Sequence, residues 1–239
     1  VNINSTSTIT YGANANQSVG AENYGNLVIS GNGTKSLVNS GSLIIAGNLT
    51  ISSASTTFNT SSNPNEIDIF GNIDNDGTWN PTQNILMSGT SSQQISGNIP
   101  ITFTCVLRIE NNSGTVSLFN QDVDIDGEFD IDPSAVFDPD VNNVSLSSDL
   151  QNDGTLTAGT VNSTFTFDGI TSINGAGSHN FQNVAISNTL TAPSSTMNIT
   201  GDWTNSGTFN RNDGTVRFVG TGIYSHWKHD YSKVCGWYF

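Results

Sequence analysis

Apolar and polar residues alternate along this chain in short bursts, each closed by Gly, Asn or Asp. In "NLVISG" (26–31) and "SLIIAGNLTIS" (42–52) the alternation puts Leu27, Ile29, Leu43, Ile45, Leu49 and Ile51 on one side. In "TFTFDG" (164–169) it puts Phe165 and Phe167 there, with the threonines opposite. A period of two is the mark of a strand with one buried face. No segment carries the 3.6-residue apolar period of an amphipathic helix, so the chain reads as all-β with almost no helix.

A turn motif divides these bursts: Asn, then Ser or Asp, then Gly, Ser or Thr, and an apolar residue. It begins at Asn39, Asn75, Asn112, Asn152, Asn205 and Asn212. Asn and Asp bond their own backbone, and Gly takes positive φ without steric cost. A second motif sets an aromatic three residues before Val or Leu, at Tyr24, Phe103 and Phe181, which are 79 and 78 residues apart. Segments opening at Gly47, Gly71 and Gly127 fall between them, with another at Gly201 beyond, and suggest a period in the twenties. Short stacked repeats of strand and turn are the sequence mark of a solenoid, in which neighbouring coils share one core. The expected fold is a right-handed parallel β-helix of about eight to ten coils, the hand being that usual for parallel crossovers. Asn at equivalent turns is expected to stack as a hydrogen-bonded ladder.

Composition narrows the function. Charged residues make up 11 % of the 239, against about 25 % in ordinary globular proteins; Asn, Ser and Thr supply the polar surface instead. A net charge of −14 with six basic residues leaves no basic patch for nucleic acid. No apolar run is long enough for a membrane-spanning helix. Cys105 and Cys235 fit no metal spacing. A chain opening on Val1 reads as a processed or trimmed product, and the Asn/Ser/Thr/Gly bias suggests a secreted, cell-surface location.

The densest candidate chemistry is "QDVDIDGEFDIDP". Asp122, Asp124, Asp126, Glu128, Asp130 and Asp132 occupy alternate positions, and on one continuous strand all six would share a face. Ca²⁺ would relieve their repulsion; the competing reading is a solvated face whose coil turns at Gly127. No cofactor is otherwise required. A polysaccharide lyase needs basic residues, and Arg108 is the only one between Lys35 and Arg211. Carboxylate pairs suited to glycoside hydrolysis are too abundant here to be specific. His179 lacks Ser and Asp partners in sequence and reads as a turn position before a strand. Thr-x-Thr starts at Thr102, Thr155, Thr164 and Thr189, too irregularly spaced for an ice-binding face. Trp79 and Trp203 follow turns at core-like positions. The chain is not expected to be an enzyme.

Residues 1–222 form the repetitive body, and 223–239 read as a degenerate terminal coil of the same domain. There "HDYSKVCGWYF" aligns with "HNFQNVAISNT", setting His229 on His179, Tyr231 on Phe181 and Val234 on Val184. Trp227, Tyr231, Trp237, Tyr238 and Phe239 are the expected cap or intersubunit contact.

Segments such as "GDWTNSGTFNRNDGTVRFVGTG" (201–222), "HNFQNVAISNTLTA" (179–192) and "NDGTLTAGTVNSTFTFDG" (152–169) resemble the repetitive surface proteins of Bacteroidota, exported with a cleavable C-terminal sorting domain. That domain is missing here, which fits a matured or truncated product. The resemblance implies a structural extracellular module of a filament, matrix or adhesin stalk, joined end to end through its terminal coils into homo-oligomers. A glycan-binding adhesin, or a carbohydrate-active β-helix enzyme, is the second reading, with surface glycans as partners.

Overall fold

The computed structural model describes residues 6–38 and 40–220, with the backbone of the strand Tyr224–Ser225 beyond them. Among these residues every regular element is a strand, and every pairing is parallel. The chain winds into a three-sided solenoid of about ten coils. Its first face is an eleven-stranded sheet from Thr8–Tyr11 to Thr215–Phe218, and its third is a ten-stranded sheet from Asn23–Tyr24 to Thr208–Asn210. The second face is split: three strands ending at Thr56–Asn59, then seven starting at Ile101–Phe103.

Each side is built from the alternation of the sequence. Leu27, Leu49, Ile73, Ile95 and Leu118 stack in register beneath the first face. Leu43, Ile67, Ile85, Leu107, Phe129 and Leu150 do so beneath the third. All eight apolar positions expected from alternation are fully buried, and so are Trp79 and Trp203. Each such side chain contributes roughly 1.5–3 kcal/mol, and stacking makes the core continuous from coil to coil.

Corner spacing explains why the short motifs looked irregular. Equivalent corners are 18 to 24 residues apart, so coil length varies while strand register holds. The aromatic motif therefore does not mark one face. Tyr24 closes a third-face strand, Phe103 a second-face strand and Phe181 a first-face strand. In each case the aromatic fills the core just before a corner. The Gly segments likewise divide: Gly47 and Gly71 precede first-face strands, Gly127 a third-face and Gly201 a second-face strand.

An asparagine ladder is present, but not at the Asn that open the turn motifs. The Oδ1 atoms of Asn26, Asn48 and Asn72 accept the backbone N–H of Asn48, Asn72 and Gln94, at 2.9, 2.8 and 2.9 Å. The motif residues Asn75 and Asn152 are instead fully buried. Their Oδ1 caps the turn N–H of Gly77 and Gly154, and Nδ2 donates to the Ile99 or Ser178 carbonyl. At the third motif the buried residue is Asn111, one place earlier than expected. Both arrangements satisfy corner backbone groups that would otherwise be buried unpaired.

Candidate functional site

The acidic segment does not form one face. A corner at Gly127 separates the strands Val123–Ile125 and Phe129–Ile131, because Gly127 lies so close to the Cys105 backbone that a methyl group there would overlap its carbonyl. Asp124 points out from the second face and Asp130 from the third, while Asp122, Asp126 and Glu128 are exposed at corners. Asp132 sits past the next strand, where the Arg108 guanidinium holds it at 2.9 Å and Asp130 at 3.3 Å, with Glu110 at 3.4 Å. On the other side of the corner, burial raises the Asp124 carboxyl above the usual range, and Asp126 and Asp168 add to it. Among the described residues no three acidic, His or Cys side chains converge as a metal site.

His179 is a correction to the sequence reading. It lies inside the strand Ser178–Phe181, pointing into the core and fully buried. The Asn152 amide donates to its Nδ1 across 3.1 Å, which assigns the proton to Nε2. Burial holds the ring pKa below 6.5. Lys35 is buried too, and its ammonium donates to the carbonyls of Ala13, Ala15 and Asn32 at 2.9–3.0 Å. That lysine fastens a corner from within.

Sequence reasoning missed a cleft in the wall. It lies at the corner before the third-face strands Leu43–Ile45, Ile67–Ile69 and Ile85–Met87, beside the break in the second face between Thr56–Asn59 and Ile101–Phe103. The intervening coil crosses as Gly77–Asn84 without a strand, joined to its neighbour by the single bridge Thr57–Thr78. Trp79 fills the core under the break, between Phe58 and Phe103 at ring distances of 6.1 and 6.4 Å. Ser42, Pro64, Asn65, Glu66, Thr82, Gln83 and Asn84 line the cleft, of about 340 Å³. Gln83 is its buried floor. The Gln83 amide nitrogen donates to the Thr60 carbonyl at 2.5 Å and to Thr82 Oγ1 at 2.9 Å, and also to the Asn63 carbonyl. Its Oε1 is buried without a partner. Asn63 fastens the loop by donating to the Gly41 carbonyl at 2.9 Å and accepting from the Asn65 N–H at 2.8 Å. Cys105 closes the wall behind, its Sγ directed at the Pro81 and Gln83 carbonyls. Burial pushes that thiol up to about 11, so it stays protonated and inert. The only available signal in sequence was the pair of Asn-Pro dipeptides, Asn63-Pro64 and Asn80-Pro81, which break strands.

No protein-family model, curated protein or solved structure matches the chain.

The two ends are the other unusual surfaces. On the first face Ile9 and Tyr11 pair with Leu27 and Ile29. Leu27 and Ile29 are sealed, whereas Ile9 is 36 % exposed and Tyr11 half-buried. At the far end Phe209 pairs with buried Leu190, and Val216 with buried Met197, yet both are only partly covered among the described residues. The aromatic tail residues Trp227, Tyr231, Trp237, Tyr238 and Phe239 lie outside the described residues. The wall does continue toward them, since Tyr224 and Ser225 pair with Trp203 and Thr204.

Proposed function

We propose that this chain is a structural module of an extracellular filament, matrix or adhesin stalk, stacked end to end through its terminal coils. The observation that carries the reading is the pair of partly covered ends. Inward-facing Ile9 and Tyr11 at one end, and Phe209 and Val216 at the other, occupy positions that are sealed one coil further in. These two surfaces differ, so joining them is a head-to-tail contact, and a head-to-tail contact that does not close makes a filament. Parallel strand edges at the same ends add backbone pairing to the apolar contact. A polar, acidic flank with net charge −14 discourages lateral association. The style of the repeats, which resembles Bacteroidota surface proteins, supports the cell-surface setting.

Sedimentation velocity and negative-stain imaging of the purified chain over a range of concentrations test this. Growth of the particle along one axis with concentration is expected. Ile9→Asp places a charge on the contact and should raise the concentration needed for assembly at least about tenfold. A strictly monomeric rod at high concentration would sink the proposal.

A further inference from the structure

The geometry points to a binding site for a neutral saccharide in the cleft at the corner before the third-face strands Leu43–Ile45, Ile67–Ile69 and Ile85–Met87. Three independent features meet there. First, the volume of about 340 Å³ lies at the lower end of small-molecule sites, enough for a sugar ring with its substituents and far more than a bare cation needs. Second, coil length changes abruptly here: the third-face step from Leu43 to Ile67 takes 24 residues and the next, from Ile67 to Ile85, only 18. Third, the floor carries Gln83 Oε1, a buried acceptor with no donor. Its amide nitrogen is fixed by Thr60, Asn63 and Thr82, which prevents the group from turning to satisfy itself.

The lining selects the ligand class. Ser42, Thr82 and Asn84 offer hydroxyl and amide groups at the exposed rim, which both donate and accept. Glu66 adds an acceptor able to take two neighbouring hydroxyls. Pro64 is the sole apolar member, so an apolar ligand gains little there. Anionic ligands are disfavoured by Glu66 and by a chain of net charge −14. One carboxylate alone is a poor site for a bare divalent cation. A ring bearing several hydroxyls, with no charge, matches every group present: donors for Gln83 Oε1 and Glu66, and acceptors for the Asn84 amide and Ser42.

The test is an amide-detected NMR titration of the full ¹⁵N-labelled chain with methyl glucoside, methyl galactoside, methyl mannoside and N-acetylglucosamine. At least one should produce saturable shifts centred on the Asn84 and Gln83 side-chain amides, with a dissociation constant of about 1 mM or below. Asn84→Ala should weaken that binding about tenfold with the backbone spectrum otherwise retained. Ser42→Ala provides a second rim variant should Asn84→Ala perturb the fold. Thr166→Ala, on the outer second face, should bind like the parent. The proposal is overturned if none of the four sugars saturates, if the shifts spread over the flat faces, or if both rim variants bind unchanged.

Discussion

His179 illustrates how strongly burial decides the behaviour of one residue. Its ring is neutral in the folded chain because burial disfavours the imidazolium. Once the pH drops below 6.5, the ordinary value, the unfolded chain takes up a proton that the folded chain refuses. Stability must therefore fall as pH falls through that window. Asp68, Asp124 and Asp130 work in the opposite sense, at lower pH. Burial is the main cause raising each above 3.8, so the folded chain binds their protons first and gains stability as pH falls toward 3.8. Urea denaturation between pH 7.5 and 5 should thus show a slope that His179→Leu removes. Gly127 makes a second point at this scale. Its place against the Cys105 backbone means that Gly127→Ala should cost about 1–3 kcal/mol, read as a lower urea midpoint at unchanged slope. The sequence did not give away His179. A lone His beside Ser and Asn looks like a turn, and only the strand register sends it inward.

Among the elements, the interrupted second face carries the largest single dependence on one side chain. Trp79 spans the coil that lacks a strand and touches aromatic rings of the coils on both sides. Trp79→Ala should cost about 3–5 kcal/mol, measured by thermal or urea unfolding. Replacing Arg108 by Gln should matter far less, below about 1 kcal/mol, because its own side chain is 42 % exposed and solvent screens the charges. Strands were legible in the sequence because alternation of Leu27 with Ile29, or Phe165 with Phe167, is a local pattern. Assignment of strands to faces was not legible. Corners differ in length, so Asn75 and Asn152 open the same turn motif on the first and third faces. The cleft was hidden for a related reason: its seven lining residues come from three separate coils, and no spacing rule joins them.

For the whole molecule, the stacked core and the partly covered terminal coils among the described residues belong together, since a solenoid extends by adding coils and has no intrinsic stop. If the flanks repel one another through the net charge of −14, salt should promote side-by-side bundling of filaments, because exposed charges are screened over about 10 Å at 0.1 M. Light scattering against salt concentration checks this, and Ile9→Asp should suppress filament length without changing the salt response of single rods. Sequence alone showed that coils stack; it could not show which terminal positions stay partly exposed, because that depends on where register ends. Parallel pairing has one more consequence, and it is mechanical. The bonds between coils run along the long axis, so tension on the two ends loads them a few at a time instead of all together. Such a rod would unravel rather than snap. Each coil of 22 residues, as from Asn26 to Asn48, would release roughly 70 Å of chain. Single-molecule pulling should then record a train of small steps, each set by the length of the coil released, the behaviour of a tether that lengthens under load and keeps its grip.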